Sequence, residues 1–447
     1  MARVPNEAAG PGSGGVRARG GQIESGAPAS RRSWIPFSLG LGRDVTLLFW
    51  ALSVFNFGFG LYAYLFTIYL EDLGASAFQI GLMVGAQGLL RIAVNLPAGI
   101  LVDHFSRKKI VIATTLVTVP AALIYGFAHA WWQVLPGMLL IVLGNLGTPA
   151  FSSYLAEAGT ATDRGRAFSL VYVIGPSIAL ALAPVTGGWL ADVTSFRVVF
   201  CCSAAAFAAS TIILARLSER PIVHHAGTSA RYRDAMTVPV IRALAALQFA
   251  VLAILTVGTT LLPNYLKEVH HIGVGTIGWF GSLAAVGSAL VSLSLSRVKV
   301  ITTIRTIGLA PICVGFLCGV TLLTGNPLIL AAAFLGRGGF MVAWSLFAAV
   351  LSDTAPPKLL GRAFAFCEFL GAIGLTLAPF AAGALYDWRR GAPLLVTCLA
   401  TPLLAAMAFW IECRFVRPAM QARAAEAIIA PAADRGAQTA AVAEGVA

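Results

Sequence analysis

Three ionisable side chains stand inside stretches that are otherwise apolar: Arg91 in "GAQGLLRIAVNLPAGIL", Arg337 in "AAAFLGRGGF" and Glu368 in "FAFCEFLGAIG". A guanidinium in such a run offers a fork of donors to an anion or a carbonyl cluster, and a carboxyl there can take up and release a proton. A charge near the centre of a bilayer costs at least about 2.5 to 3.5 kcal/mol, so each is expected to face a bundle interior or a wet cavity. Asn56, Gln87, Asn95, Asn145, Tyr172 and Gln248 are candidates to line that cavity, with Trp344 stacking against a ligand. For each of these, packing between helices is an equal alternative, as bracing is for Arg91, a helix-break carbonyl cluster for Arg337, and an Arg362 partner for Glu368.

Other motifs point away from catalysis. "GVGTIG" from Gly273 has the glycine spacing of a dinucleotide loop but joins two apolar runs, with no strand before it. There is no G-x-x-x-x-G-K-[ST] loop, and His270 and His271 are adjacent rather than spaced for a metal. The seven cysteines sit in or beside apolar runs without metal-type spacing, and are expected to act as small packing residues. No enzyme activity, cofactor or metal is expected.

A second concentration of charge lies in "PAGILVDHFSRKKIV", where Asp103 closes one apolar run and Arg107, Lys108 and Lys109 open the next. A carboxylate at such a junction can accept from the unsatisfied N–H groups of a helix start and pair with a nearby arginine. Glu157 and Arg164 stand seven apart in a later gap and complete a candidate charge network. The alternative is that these charges only fix topology.

The elements that must carry these groups follow from composition. The chain has 447 residues, 58% hydrophobic and 11% charged, against roughly 25% charged in an average soluble domain. About 20 apolar residues cross a bilayer as helix, with every backbone group satisfied inside the segment. Apolar runs predict crossings near 45–70, 77–102, 110–129, 132–156, 167–191 and 198–216, then 242–266, 276–296, 304–324, 328–352, 363–386 and 393–412. The net charge of +12 lies in short gaps rather than on one face, which argues for membrane topology and against nucleic acid. The gaps after even-numbered crossings hold Arg107, Lys108, Lys109, Arg164, Arg166, Arg216, Arg220, Arg231, Arg233, Arg297, Lys299, Lys358 and Arg362; the others hold Arg197, Lys267, Arg389 and Arg390. The bias predicts a multi-pass protein with both termini cytoplasmic, and the membrane expected is the plasma (inner) membrane.

The chain also repeats. An offset of 196 places Tyr69 and Leu70 over Tyr265 and Leu266, and Leu155, Glu157, Gly165, Arg166, Ala167 and Phe168 over Leu351, Asp353, Gly361, Arg362, Ala363 and Phe364. One residue of slippage then aligns "APVTGGWLAD" from Ala183 with "APFAAGALYD" from Ala378. The predicted fold is therefore an all-α membrane protein of twelve helices in two six-helix repeats. Its divisions are a disordered tail over 1–42, bundles over 43–217 and 241–413, a linker over 218–240 and a tail over 414–447, with a short surface helix around 420–430. Parallel repeats of this kind suit a transporter whose halves rock about a site near the midplane.

The stretch Gly99, Leu101, Asp103, Arg107, Lys108 resembles the signature G-x-L-x-D-R-x-G-R-[KR] of the major facilitator superfamily, with His104 and Ser106 in place of arginine and glycine. Pro184, Gly187 and Gly188 resemble the G-P-x-x-G-G ending of the fifth-crossing signature of its drug antiporters, with Ala183, Ala179 and Leu170 where glycines would stand. Leu140 occupies the place of the family's fourth-crossing arginine, and Glu157 with Arg164 resembles its E-x6-R element. The resemblance implies a cytoplasmic latch of Gly99, Asp103, Arg107, Lys108, Glu157 and Arg164. It also favours reading Pro184, Gly187, Gly188, Pro379 and Gly383 as a bendable, moving helix contact rather than generic packing. The expected activity is proton-coupled export of drug-like or amphiphilic metabolites by a monomer, with a small-molecule substrate, protons and the bilayer as partners. The alternatives are uptake of a small organic anion bound by Arg91 and Arg337, or a non-transporting receptor or scaffold.

Overall fold

The computed structural model describes residues 42–158, 164–219, 236–297, 304–337, 347, 350–356 and 359–421. Among these every regular element is helical. Ten helices are long and apolar enough to cross a membrane, and two shorter apolar helices, Pro311–Leu323 and Pro327–Gly336, stand where the ninth and tenth crossings are expected. The lipid-facing surface follows from composition: side chains such as Leu399 and Leu403 are 65% and 72% exposed, which water would not tolerate in so many places but hydrocarbon does.

The first crossing differs from its expected single span. It breaks after Ala63 and resumes as Phe66–Asp72, and the seventh breaks the same way between Pro239–Thr260 and Leu262–Glu268. The breaks fall at Leu65 and Leu261, equivalent positions of the repeat. At the second, Pro263 withholds the N–H that a continuous helix would direct at the carbonyl four residues back. The fourth crossing is likewise segmented: a 3₁₀ turn over Asn145–Gly147 joins Leu135–Gly144 to Thr148–Ala158, ahead of Pro149. In the fifth, Leu170–Ile174 is a π turn in which the Gly175 N–H reaches the Leu170 carbonyl. Pro176 follows immediately and has no N–H for the carbonyl of Tyr172.

The last helix runs past the expected end of the twelfth crossing near 412: Ala392–Ile411 continues through a π turn, Glu412–Val416, and stays helical to Gln421. The fully buried Glu412 accepts from the Arg417 guanidinium at 3.0 and 3.1 Å, an i to i+5 spacing that the wider turn brings onto one face. The cysteines also divide. Cys318 and Cys367 pack inside, whereas Cys201, Cys202 and Cys413 are exposed on the bundle's outer surface.

Small residues decide which helices meet. Gly81, Gly85 and Gly88 of the second crossing face Pro379, Phe380 and Thr376 of the eleventh, Leu360–Trp388; a Cβ on Gly81 would lie 2.3 Å from the Pro379 carbonyl. The fifth crossing meets the eighth, Val274–Arg297, in the same manner, with Gly188 against Gly275 and Gly278. Both contacts join the first six crossings to the last six. The glycines of "GVGTIG" thus serve close helix approach, and the Gly275 N–H is capped by Asp192 at 2.7 Å.

Candidate functional site

A cavity of about 570 Å³ lies within the first six crossings. The first crossing contributes Phe55, Asn56 and Phe59, the second Gln87 and Arg91, the fourth Asn145 and the fifth Tyr172. Five of the ten residues expected to line or act in such a cavity, Asn56, Gln87, Arg91, Asn145 and Tyr172, therefore share one space. The helix breaks explain part of this: Asn145 stands at the 3₁₀ turn and Tyr172 in the π turn, where regular winding is interrupted and side chains are re-aimed.

The polar groups are prepared unequally. Asn56 and Asn145 each donate to the carbonyl four residues back, at 2.8 and 3.2 Å. The Tyr172 hydroxyl lies 2.7 Å from Ser152 Oγ, and its ring stacks on Phe168. Gln87 and Arg91 line the cavity, and among the described residues Arg91 is the cation in its wall. The arrangement offers a guanidinium, acceptor oxygens and aromatic faces to a molecule with both a polar and an apolar part.

Thr114, Thr115 and Thr118 also line it, and sequence reasoning passed over them. Each hydroxyl donates to its own helix at 2.6 to 2.8 Å, leaving oxygen lone pairs toward the cavity. The available signal was "TTLVT", three hydroxyls within five residues of an apolar run. Val111 and Leu214 extend the lining toward the end of the bundle that carries Arg107.

The remaining candidates lie elsewhere. Glu368 accepts from Gln248 Nε2 at 3.3 Å rather than pairing with Arg362, and borders a small crevice with Phe364 and Cys367. Arg337 does not reach the cavity; its guanidinium sits 5.7 Å from the Tyr64 ring centre, a cation–π contact that braces the first crossing against the tenth. Arg107 and Glu157 form an ion pair, largely shielded at the arginine. Trp344, and the side chains of Asn95, Gly99, Asp103 and Arg164, lie outside the described residues.

At the opposite end the two halves are tied by polar contacts. Lys267 pairs with Asp72, and Asn264 donates to Thr67 O at 3.1 Å and to Glu71. The Phe78 N–H donates to Asp387 at 3.1 Å. These links close one end, while the cavity reaches toward the other.

The family model described as Major Facilitator Superfamily matches residues 48–379. An uncharacterized MFS-type transporter of Methanocaldococcus jannaschii is 25% identical over 165 residues, 36% of this chain and 42% of that one. The quinolone resistance protein NorA of Staphylococcus aureus is 24% identical over 188 residues, 41% of this chain and 46% of that one. The chain thus spans less than half the length of these curated relatives. Among solved structures, the peptide transporter POT in complex with sulfate superposes with a TM-score of 0.67 at 15% identity, covering 85% of this chain and 97% of that one.

Proposed function

This chain belongs to the Major Facilitator Superfamily, and we propose that it exports a small amphiphilic molecule across the plasma membrane by alternating access, drawing on a proton gradient. The observation that carries this reading is the cavity, which gathers Asn56, Gln87, Arg91, Asn145 and Tyr172 from four crossings around a mixed polar and aromatic space. In this reading Arg91 holds the polar part of the substrate, while the Phe55 and Phe59 rings take the apolar part. In this reading Glu368, an ionisable carboxyl inside the eleventh crossing that accepts from Gln248 at 3.3 Å, is the proton carrier. The likeness to a quinolone resistance protein supports export.

The Arg107 end is assigned to the cytoplasm from its basic gaps, and the Arg107–Glu157 pair acts as part of a latch there. The proline and glycine contacts of the fifth with the eighth crossing, and of the second with the eleventh, are the surfaces on which the halves turn. With its side chains only 10% and 25% exposed, the Arg107–Glu157 pair costs more to break than a surface pair, worth about 0 to 1 kcal/mol, which suits a latch.

One observation favours a second reading, uptake of a small organic anion: the cation in the cavity wall, Arg91. Proteoliposome flux separates the two. A panel of cationic and neutral amphiphiles and small carboxylates is first screened by thermal shift, then followed under an imposed pH gradient. Export predicts movement of an amphiphile against the proton flow, abolished by collapsing the gradient. Accumulation of carboxylates alone, in the direction of proton flow, would overturn the export reading.

A further inference from the structure

The contacts that tie the halves at the Glu71 end follow the repeat, with one telling exception. The offset of 196 that places Tyr69 over Tyr265 also places Glu71 over Lys267 and Asp72 over Glu268. Two repeats related by an approximate twofold axis set each pair of facing positions across the axis twice. The mate of the Lys267–Asp72 pair is therefore the facing pair of Glu71 and Glu268. The first joins an ammonium to a carboxylate; the second sets two carboxyl groups facing each other in the wall of one cavity. Two carboxyl groups can hydrogen-bond to each other only if one of them keeps its proton.

The surroundings assign the proton. Glu268 Oε2 accepts from the Tyr386 hydroxyl at 3.0 Å and from Arg390 Nε at 3.1 Å. Glu71 is half-buried and accepts from Asn264. Lys267 lies 3.9 Å from Glu71 but is engaged by Asp72, and Asp387 is occupied by the Phe78 N–H. Arg389 lines the same space and acts on Tyr265. Burial and the facing Glu268 raise the pKa of Glu71 above the usual glutamate range, against the opposing pull of Asn264 and Lys267. A cavity of about 370 Å³, lined by Glu71, Asn264, Glu268 and the exposed Trp388, adjoins the pair. Asn264 is 1% exposed, and its Oδ1 has no partner in that wall.

We propose that Glu71 and Glu268 share one proton across the seam and form a proton-operated gate, closed while the proton is held and driven open by like-charge repulsion when it leaves. The closed gate binds the proton more tightly than the open one. Closure is therefore favoured at low pH and lost as the pH on that side rises through the raised value of Glu71. With the Glu71 end outward, protons from outside would return the protein to its inward-open form, the step a proton-driven exporter needs after releasing its cargo. The gate rests on the alternating-access reading, but not on the substrate or the direction.

The test uses the full chain in lipid nanodiscs, with its native cysteines replaced by alanine and nitroxides attached at Trp132→Cys and Leu328→Cys. Both sites are exposed, at 57% and 82%, and flank this end from opposite halves. Distances are read by pulsed electron resonance between about pH 5 and pH 9, without substrate, so the outcome is independent of whether any compound is transported. The unsubstituted pair should hold a short distance at low pH that gives way to a longer one as pH rises. Glu71→Gln should keep the short distance throughout, because its amide donates to Glu268 without titrating. Glu71→Lys should do the same by supplying the missing mate of the Lys267–Asp72 bridge. A distance that ignores pH in the unsubstituted protein, or a shift that survives unchanged in Glu71→Gln and in Glu268→Gln, overturns the proposal.

Discussion

Arg91 is the residue on which the binding site turns. It enters the cavity wall from a helix whose neighbouring positions are Leu89, Leu90 and Ile92, so its cost in the membrane must be offset by what it binds. Replacing it by glutamine should weaken substrate binding by about ten- to a hundredfold, since hydrogen bonds to a charged group are worth about 1.5 to 3 kcal/mol. Competition binding on the purified variant measures this. Tyr172→Phe removes only the hydroxyl bonded to Ser152 and should cost about 0.5 to 1.5 kcal/mol, readable as a modest loss in the same assay. Arg91 and Tyr172 were legible as candidates because a charge or an isolated polar group in an apolar run is conspicuous. Arg337 was equally conspicuous, yet it turns to Tyr64, because which face of a helix meets which neighbour is set by crossings far away in sequence.

At the scale of the helix, close contact controls what can be tolerated. A Cβ on Gly187 would stand 1.8 Å from the Leu61 carbonyl, so Gly187→Ala must push the first and fifth crossings apart. The expected destabilisation is about 1 to 3 kcal/mol, seen as a lowered melting temperature in detergent. Gly361 meets nothing within 4 Å, and Gly361→Ala should leave the melting temperature unchanged. Glycine and proline positions were readable from the repeat, and so were the crossings, because the bilayer demands continuous apolar length. The breaks were not. A π turn at Leu170–Ile174 and the paired breaks at Leu65 and Leu261 leave apolar composition untouched, and only Pro176 and Pro263 hint at them. The unbroken run of helix from the expected crossing end near 412 toward the helix expected around 420 was not legible for a related reason: the Glu412–Arg417 pair needs a π turn to form, whereas the sequence shows only two charges five residues apart.

Across the whole molecule, the proposed account requires one end to open as the other closes. Links through Asp72, Asn264 and Asp387 join the halves at one end, and the cavity reaches toward the end of Arg107 and Glu157. Glu157→Gln removes one charge of the latch without changing its size, and should raise the share of molecules open at the Arg107 end by more than about fivefold, the limit expected of a fully exposed pair, since the guanidinium is largely shielded. Thiol-labelling rates at introduced cysteines measure that share. The most direct measurement places two pairs of spin labels in one cysteine-free background, Trp132 with Leu328 at one end and Lys109 with Gly361 at the other. Distances are then compared before and after a transported compound is added. Alternating access predicts reciprocal change, one pair lengthening as the other shortens. Two distances that move together, or a pair fixed at both ends while transport proceeds, would contradict it.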